Sequence, residues 1–297
     1  MLQTLTLLPT RAFENKNTLH SLIVTLAMKY RSTRTTSDQE LSFEEAVIEG
    51  LAPDGGLFVP VVCPHLSKHE IESWRGLKFT DIAAQLFRKF INPSEISDSE
   101  LAQIVGKSFA TFSHPKVTPL VKVSDNLWIL ELFHGPTFAF KDVALQVLGN
   151  LFEFFLMRRD GGVLNIIGAT SGKSFTLNKG DTGGAAIYGL RGKKGIQAFI
   201  LHPMNRISPI QELQMTTVLD KNIHNVAVEG TFDDCQEIVK TLFSDSNFKK
   251  RHSLGAVNSI NWARIMAQMS YYFFSYFEVQ RLMGVNSKDS EVKIAYR

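Results

Sequence analysis

The strongest constraint on this chain is a change of rhythm near residue 118. Beyond it, short apolar runs of strand length alternate with stretches of helical period. Residues 128–132 (WILEL), 163–167, 196–201, 225–228 and 292–296 read as strands. Residues 142–157, 182–190, 209–219, 232–243 and 260–282 read as helices. The first of these helices gathers Ala144, Leu145, Leu148, Leu151, Phe152, Phe155 and Leu156 on one wide apolar face. Such a face is what a helix needs to pack on a sheet. Strand and helix alternating at this spacing predict βαβ units, hence an α/β fold with a parallel sheet and flanking helices.

Ahead of residue 118 the pattern is mostly helical. Residues 42–45 (SFEE) have the spacing of a capping box, and Gly50 closes the short helix that follows. Residues 52–56 (APDGG) form a turn, and residues 57–60 leave it as an extended piece. Two further helices are predicted near residues 80–90 and 97–109, with Pro93 between them. The expected division is a disordered extension over residues 1–27, a helical N-terminal subdomain over 28–115, and part of an α/β catalytic region over 116–297.

Composition excludes several classes. With 297 residues, 44% apolar and 21% charged, the chain is of globular type and long enough for about two domains. Lys plus Arg exceed Asp plus Glu by only 3, so neither nucleic acid nor an anionic membrane is expected as a partner. Cys63 and Cys235 are too few for a disulfide framework and too far apart for a metal knuckle. No metal is expected, and a reducing, cytoplasmic setting fits. No apolar run approaches the roughly 20 residues of a membrane-spanning helix. Residues 1–27 contain one acid, Glu14, but are poorer in Arg and Ser than a mitochondrial presequence. They read as a disordered extension or a misplaced start.

Two strand ends carry the chemistry. In residues 131–142 (ELFHGPTFAFKD), Gly135 and Pro136 make a turn and Lys141 sits at a helix start, expected to be hemmed by Phe138 and Phe140. A helix N-terminus and an apolar setting both disfavour an ammonium. A lysine neutral in part can form a Schiff base with an aldehyde cofactor; a solvated helix-start lysine is the plain alternative. In residues 163–174 (VLNIIGATSGKS), a strand enters a turn able to offer backbone N–H groups to an anion. The GKS triplet hints at a nucleotide-binding P-loop, but the Gly required five residues before Gly172 is Ile167. Asn258 or Ser259 is expected to cap the last long helix and, with Arg264, to hold a phosphate or carboxylate; a cap plus a surface arginine is the alternative. His134 and His202 lie beside turns and read as structural.

These residues resemble the threonine synthase family, in its fungal-like long form. The run at 133–150 (FHGPTFAFKDVALQVLGN) is similar to that family's cofactor-lysine motif. Residues 29–34 (KYRSTR), 51–60 (LAPDGGLFVP), 185–194 (AAIYGLRGKK), 209–220 (PIQELQMTTVLD) and 256–268 (AVNSINWARIMAQ) agree as well. The resemblance runs through nearly all of residues 29–296. It implies the fold type II architecture of pyridoxal 5'-phosphate (PLP) enzymes, tryptophan-synthase-β-like, with Lys141 carrying the cofactor as an imine. It implies conversion of O-phospho-L-homoserine and water to L-threonine and phosphate, by elimination and replacement at the β and γ carbons. It places Ser171, Asp181, Thr182 and Gly183 with Lys141 around the cofactor, and Thr170, Ser171, Gly172, Asn258, Ser259 and Arg264 around the substrate. It leaves the oligomeric state open.

Two departures from the family pattern stand out. The family's second loop is a continuous Gly-Ala-Thr-Ser-Gly-Asp-Thr-Gly, whereas here residues 173–180 (KSFTLNKG) separate its halves. Such an insertion is expected to disturb a loop built from fixed backbone donors. The chain also ends at Arg297, inside a predicted strand and before the family's phosphate-binding Gly-Asn-Phe-Gly loop. An incomplete gene product is the expectation, with retained intron sequence at 173–180, and the chain as written is expected to be inactive. The alternatives are a related PLP phospho-lyase or dehydratase giving 2-oxobutyrate, and a non-catalytic truncated protein.

Overall fold

The computed structural model describes residues 28–35, 39–124, 127–170, 182–257 and 261–284. The N-terminal part opens with β1 (Tyr30–Ser32), α1 (Phe43–Glu49) and β2 (Phe58–Pro60). The two strands pair antiparallel, Tyr30 opposite Pro60. Then come α2 (Lys68–Ser73), α3 (Phe79–Arg88) and α4 (Asp98–Phe109). The expected capping box is present at Ser42 and Glu45, and a second joins Ser97 to Glu100. Gly50 closes α1 with φ +73°, a conformation that favours glycine.

These helices do not form a core of their own. Phe79 packs its ring on Phe109 of α4 (4.9 Å) and on Phe274 near the far end of the chain (5.5 Å). Phe43 meets Phe155 (6.2 Å), and Tyr30 meets Trp262 (6.3 Å). One continuous apolar cluster therefore joins the N-terminal helices to the α/β part.

β3 (Leu120–Ser124) and β4 (Leu127–Leu130) make a separate two-stranded antiparallel ribbon. The strand expected at 128–132 is thus not a member of the parallel sheet. Its partner, 120–124 (LVKVS), is a strand that the sequence reading did not single out. After the ribbon come α5 (Lys141–Arg158), β5 (Leu164–Ala169), α6 (Thr182–Leu190), β6 (Ile196–Pro203), α7 (Pro209–Thr216), β7 (Ile223–Val228), α8 (Phe232–Ser244), α9 (Ser246–Arg251), β8 (Leu254–Ala256) and α10 (Trp262–Met283). The strand expected at 292–296 lies outside the described residues. Among the described residues, no helix is long and apolar enough to cross a membrane.

The sheet is parallel throughout, in the order β7-β6-β5-β8. From β5 the chain steps outward through β6 to β7, then returns to place β8 on the other side of β5. The order reverses between β5 and β8. In open parallel sheets, the crevice at the carboxyl ends of such a pair is where ligands bind.

α5 lies almost wholly inside the protein, buried from Asp142 to Phe152. It crosses α6 at two glycines. A Cβ on Gly149 would stand 1.9 Å from the Gly189 carbonyl oxygen, and one on Gly189 2.6 Å from that of Leu145. Only bare backbone permits this approach, and it sets how the two helices lie against each other.

Candidate active site

The strand order reversal and the helix crossing bring two chain segments together. Thr170 follows β5 directly and is buried. Its backbone N–H donates to Leu201 of β6 (2.9 Å), which continues the sheet by one residue. Its Oγ1 accepts the N–H of Gly183 at the start of α6 (3.2 Å). A Cβ on Gly183 would lie 2.7 Å from the Thr170 Cβ, so glycine is needed for the helix start to come this close. The flanks of the 173–180 segment are thus tied to each other.

Lys141 is the first residue of α5 and is half-buried. Its Nζ donates to Thr182 Oγ1, the first residue of α6, at 2.6 Å. Two helix N-termini therefore converge beside the carboxyl end of β5, where the Lys141 amine meets the Thr182 hydroxyl. Helix N-termini attract anions and disfavour an ammonium.

The turn before Lys141 is held from inside. Asp142 is fully buried. It accepts the Thr137 backbone N–H at Oδ2 (2.8 Å) and the Thr137 hydroxyl at Oδ1 (2.7 Å). Gly135 sits against this clamp, since a Cβ there would meet the Asp142 Cβ at 2.4 Å. Between them Phe138 is forced to φ +60°, a left-handed conformation costing roughly 1 kcal/mol or more for a residue with a side chain. Sequence reading missed the Thr137–Asp142 clamp. The signal for it is an acid immediately after the lysine, in the first turn of a helix with no apolar reason to bury it.

Several expectations change. Phe138 and Phe140 do not hem Lys141: they are 71% and 45% exposed, because the clamp turns their side chains outward. Neither Asn258 nor Ser259 caps the last helix. Asn261 does, accepting the Ala263 N–H (2.9 Å) while its amide donates to the Val47 carbonyl of α1 (3.0 Å). Arg264 is not a surface arginine but is buried in the first turn of α10, where loss of solvent pushes its guanidinium down to about 10. Of the residues singled out, Lys141, Thr170, Thr182 and Gly183 come together. Ser171, Gly172, Asp181, Asn258 and Ser259 lie outside the described residues. His134 pairs with Glu131 (2.7 Å) and packs on Phe133 and His114.

A reversed parallel sheet with a lysine-headed helix at its carboxyl edge defines the class: this is the architecture of the fold type II enzymes. Residues 29–109 match the family described as threonine synthase N terminus. Threonine synthase of Schizosaccharomyces pombe is 54% identical over 261 residues, covering 86% of this chain and 49% of that one. The crystal structure of yeast threonine synthase superposes with a TM-score of 0.80 at 51% identity, over 88% of this chain and 52% of that one. A PLP-bound threonine synthase from Brucella melitensis gives a TM-score of 0.80 at 42% identity, over 89% of this chain and 53% of that one. The chain belongs to the threonine synthase family, and it spans about half the length of the relatives it matches.

Proposed function

We propose that this chain carries the lysine half of a threonine synthase site, which converts O-phospho-L-homoserine and water to L-threonine and phosphate with pyridoxal 5'-phosphate held on Lys141. The observation that carries this reading is the Lys141 Nζ donating to Thr182 Oγ1 at 2.6 Å, where two helix N-termini meet the end of β5. The residues present fit a phosphorylated aldehyde. A half-buried amine can take the carbonyl carbon, and the adjoining Thr182 hydroxyl can donate to an anionic oxygen.

Bound pyridoxal phosphate supplies an electron sink that makes a substrate's α-proton removable. The chain's own residues do the rest. Lys141 Nζ would be the base that receives that proton and returns it. Thr182 Oγ1 fixes where the amine points, and Thr170 fixes Thr182 by holding the next residue's N–H. The Thr137–Asp142 clamp holds the turn that delivers Lys141. We assign Ser171, Asp181, Thr182 and Gly183 to the cofactor, and Thr170, Ser171, Gly172, Asn258, Ser259 and Arg264 to the substrate. We place the reaction in the cytoplasm; both cysteines, Cys63 and Cys235, are free thiols, as a reducing compartment would leave them.

The test is chemical. The full chain is incubated with pyridoxal 5'-phosphate, reduced with borohydride and mapped by peptide mass spectrometry. The label is expected on Lys141, to be lost in Lys141→Ala and reduced in Thr182→Val. Labelling spread over surface lysines, unchanged in either variant, overturns the reading. Where turnover of O-phospho-L-homoserine is seen, threonine as product supports the proposed reaction, and 2-oxobutyrate makes the protein a phospho-lyase instead.

A further inference from the structure

The crevice at the carboxyl ends of β5 and β8 has two walls, and the second is held from outside the sheet. α10 begins where the chain leaves the carboxyl end of β8, so its first turn stands across the crevice from the head of α6. Arg264 lies in that turn and is only 3% exposed. A guanidinium is doubly disfavoured there: burial removes its water, and the positive end of a helix opposes its charge. The turn that carries it is fixed by the N-terminal region. The Asn261 amide donates to the Val47 carbonyl of α1 (3.0 Å), while its Oδ1 accepts the Ala263 N–H (2.9 Å). Trp262 packs against Phe90 (5.3 Å) and meets Tyr30 of β1 (6.3 Å). Gly50, which closes α1, lies so close that a Cβ there would stand 3.3 Å from the Asn261 Nδ2. Serine caps a helix as well as asparagine does. Capping alone therefore does not account for Asn261; what its amide adds is the donor that reaches α1.

We infer that Asn261 is a positioning residue for Arg264: through it, the N-terminal region sets where the guanidinium meets an anionic oxygen of the substrate. The inference rests on the assignment of Arg264 to the substrate made above. Arg264 lies in the same turn as the cap, its backbone N–H bonded to the Asn261 carbonyl (3.1 Å). A shift of Asn261 is therefore carried to Arg264 with no joint between them. Charge-assisted hydrogen bonds depend steeply on distance and angle, and a misplacement of about 1 Å can cost on the order of a hundredfold. The helices and strands ahead of residue 115 then take part in recognition, although no residue among them is assigned to the ligand.

The experiment reads ligand affinity, so its outcome is separate from that of the Lys141 labelling. The full chain without cofactor is titrated with O-phospho-L-homoserine and with L-homoserine, and calorimetry gives each dissociation constant. The parent is expected to hold the phosphorylated ligand at least tenfold more tightly, and Arg264→Gln to lose that preference. Asn261→Ser keeps a cap but not the reach to Val47, and is expected to reduce the preference at least fivefold. The double variant is expected to be no weaker than Arg264→Gln alone, because Asn261 acts through Arg264. Thr231→Ala, which removes the capping box of α8, is expected to lower stability and leave the preference unchanged. Circular dichroism confirms that each variant folds. If Asn261→Ser does not, Gly50→Ala, which presses on Asn261 from the N-terminal side, takes its place with the same expectation. A preference kept by Asn261→Ser and lost by Arg264→Gln overturns the inference and leaves the assignment of Arg264 standing. A preference kept by Arg264→Gln overturns both, as does its absence in the parent. Losses that add in the double variant make Asn261 a separate contributor and overturn the inference too.

Discussion

The N-terminal helices and the segment from the ribbon to Lys141 obey opposite rules. In the first region apolar side chains face inward, and Ser42, Ser67 and Ser97 close the helix starts. In the second, Asp142 and Thr137 are buried while Val121, Ile129, Phe133, Phe138 and Phe140 face out. α4 begins with a reciprocal capping box; α5 begins at Phe140 with no side-chain cap. The contrast separates two purposes. The first region spends its polar groups on finishing its own helices. The second uses a buried acid to hold a strained turn, and leaves its apolar groups exposed.

The contrast can be broken most decisively at two phenylalanines. Phe155 is fully buried and Phe138 is the more exposed of the pair. Phe155→Ala is expected to cost about 3–5 kcal/mol in urea unfolding, and Phe138→Ala to stay within about 0.5 kcal/mol. Similar losses at both would remove the distinction. A smaller effect is expected at the helix crossing. Gly149→Ala forces a methyl against the Gly189 carbonyl and should cost about 1–3 kcal/mol. It should also lower labelling of Lys141 by pyridoxal phosphate, and stability loss with full labelling would show that the crossing does not place the site.

The caps give the next step down. Ser97→Ala should cost about 1 kcal/mol, whereas Phe140→Ala removes no cap and should cost less. The smallest effect is one of pH. The Ser97 hydroxyl and backbone N–H hold the Glu100 carboxyl below its ordinary value of 4.5. A group depressed on folding contributes stability above its unfolded value and loses it as pH falls through the folded one. Acid unfolding monitored below about pH 4.5 should therefore be shallower in Glu100→Gln; an unchanged acid limb would show that this carboxylate contributes nothing.

Legibility followed the same division. The capping box at 42–45 was readable because both partners lie within four residues, and the helix at 182–190 was readable as a run of small residues. β8 was not, because three residues (LGA) carry no period; only its pairing with β5 makes it a strand. α2 and α9 were missed for the same reason of length. The cap of α10 was expected at Asn258 or Ser259, whereas Asn261 holds it. The choice is made by a tertiary bond to Val47 that no local pattern contains. At the site, Lys141 was legible from its motif, but its contact with Thr182 joins residues 41 apart in the chain and depends on how α5 crosses α6.

That crossing changes what a lengthened loop means. The pose of α6 is set by glycine backbones well inside the protein, and by the Thr170 hydroxyl at its entrance, both independent of how many residues connect β5 to Thr182. Closing a longer loop costs little more than closing a shorter one. The stretch at 173–180, read from the sequence as a departure from the family pattern, is then a natural splice point. A lineage, or an engineer grafting a peptide, can change chain length here while the amine and its hydroxyl partner keep their places.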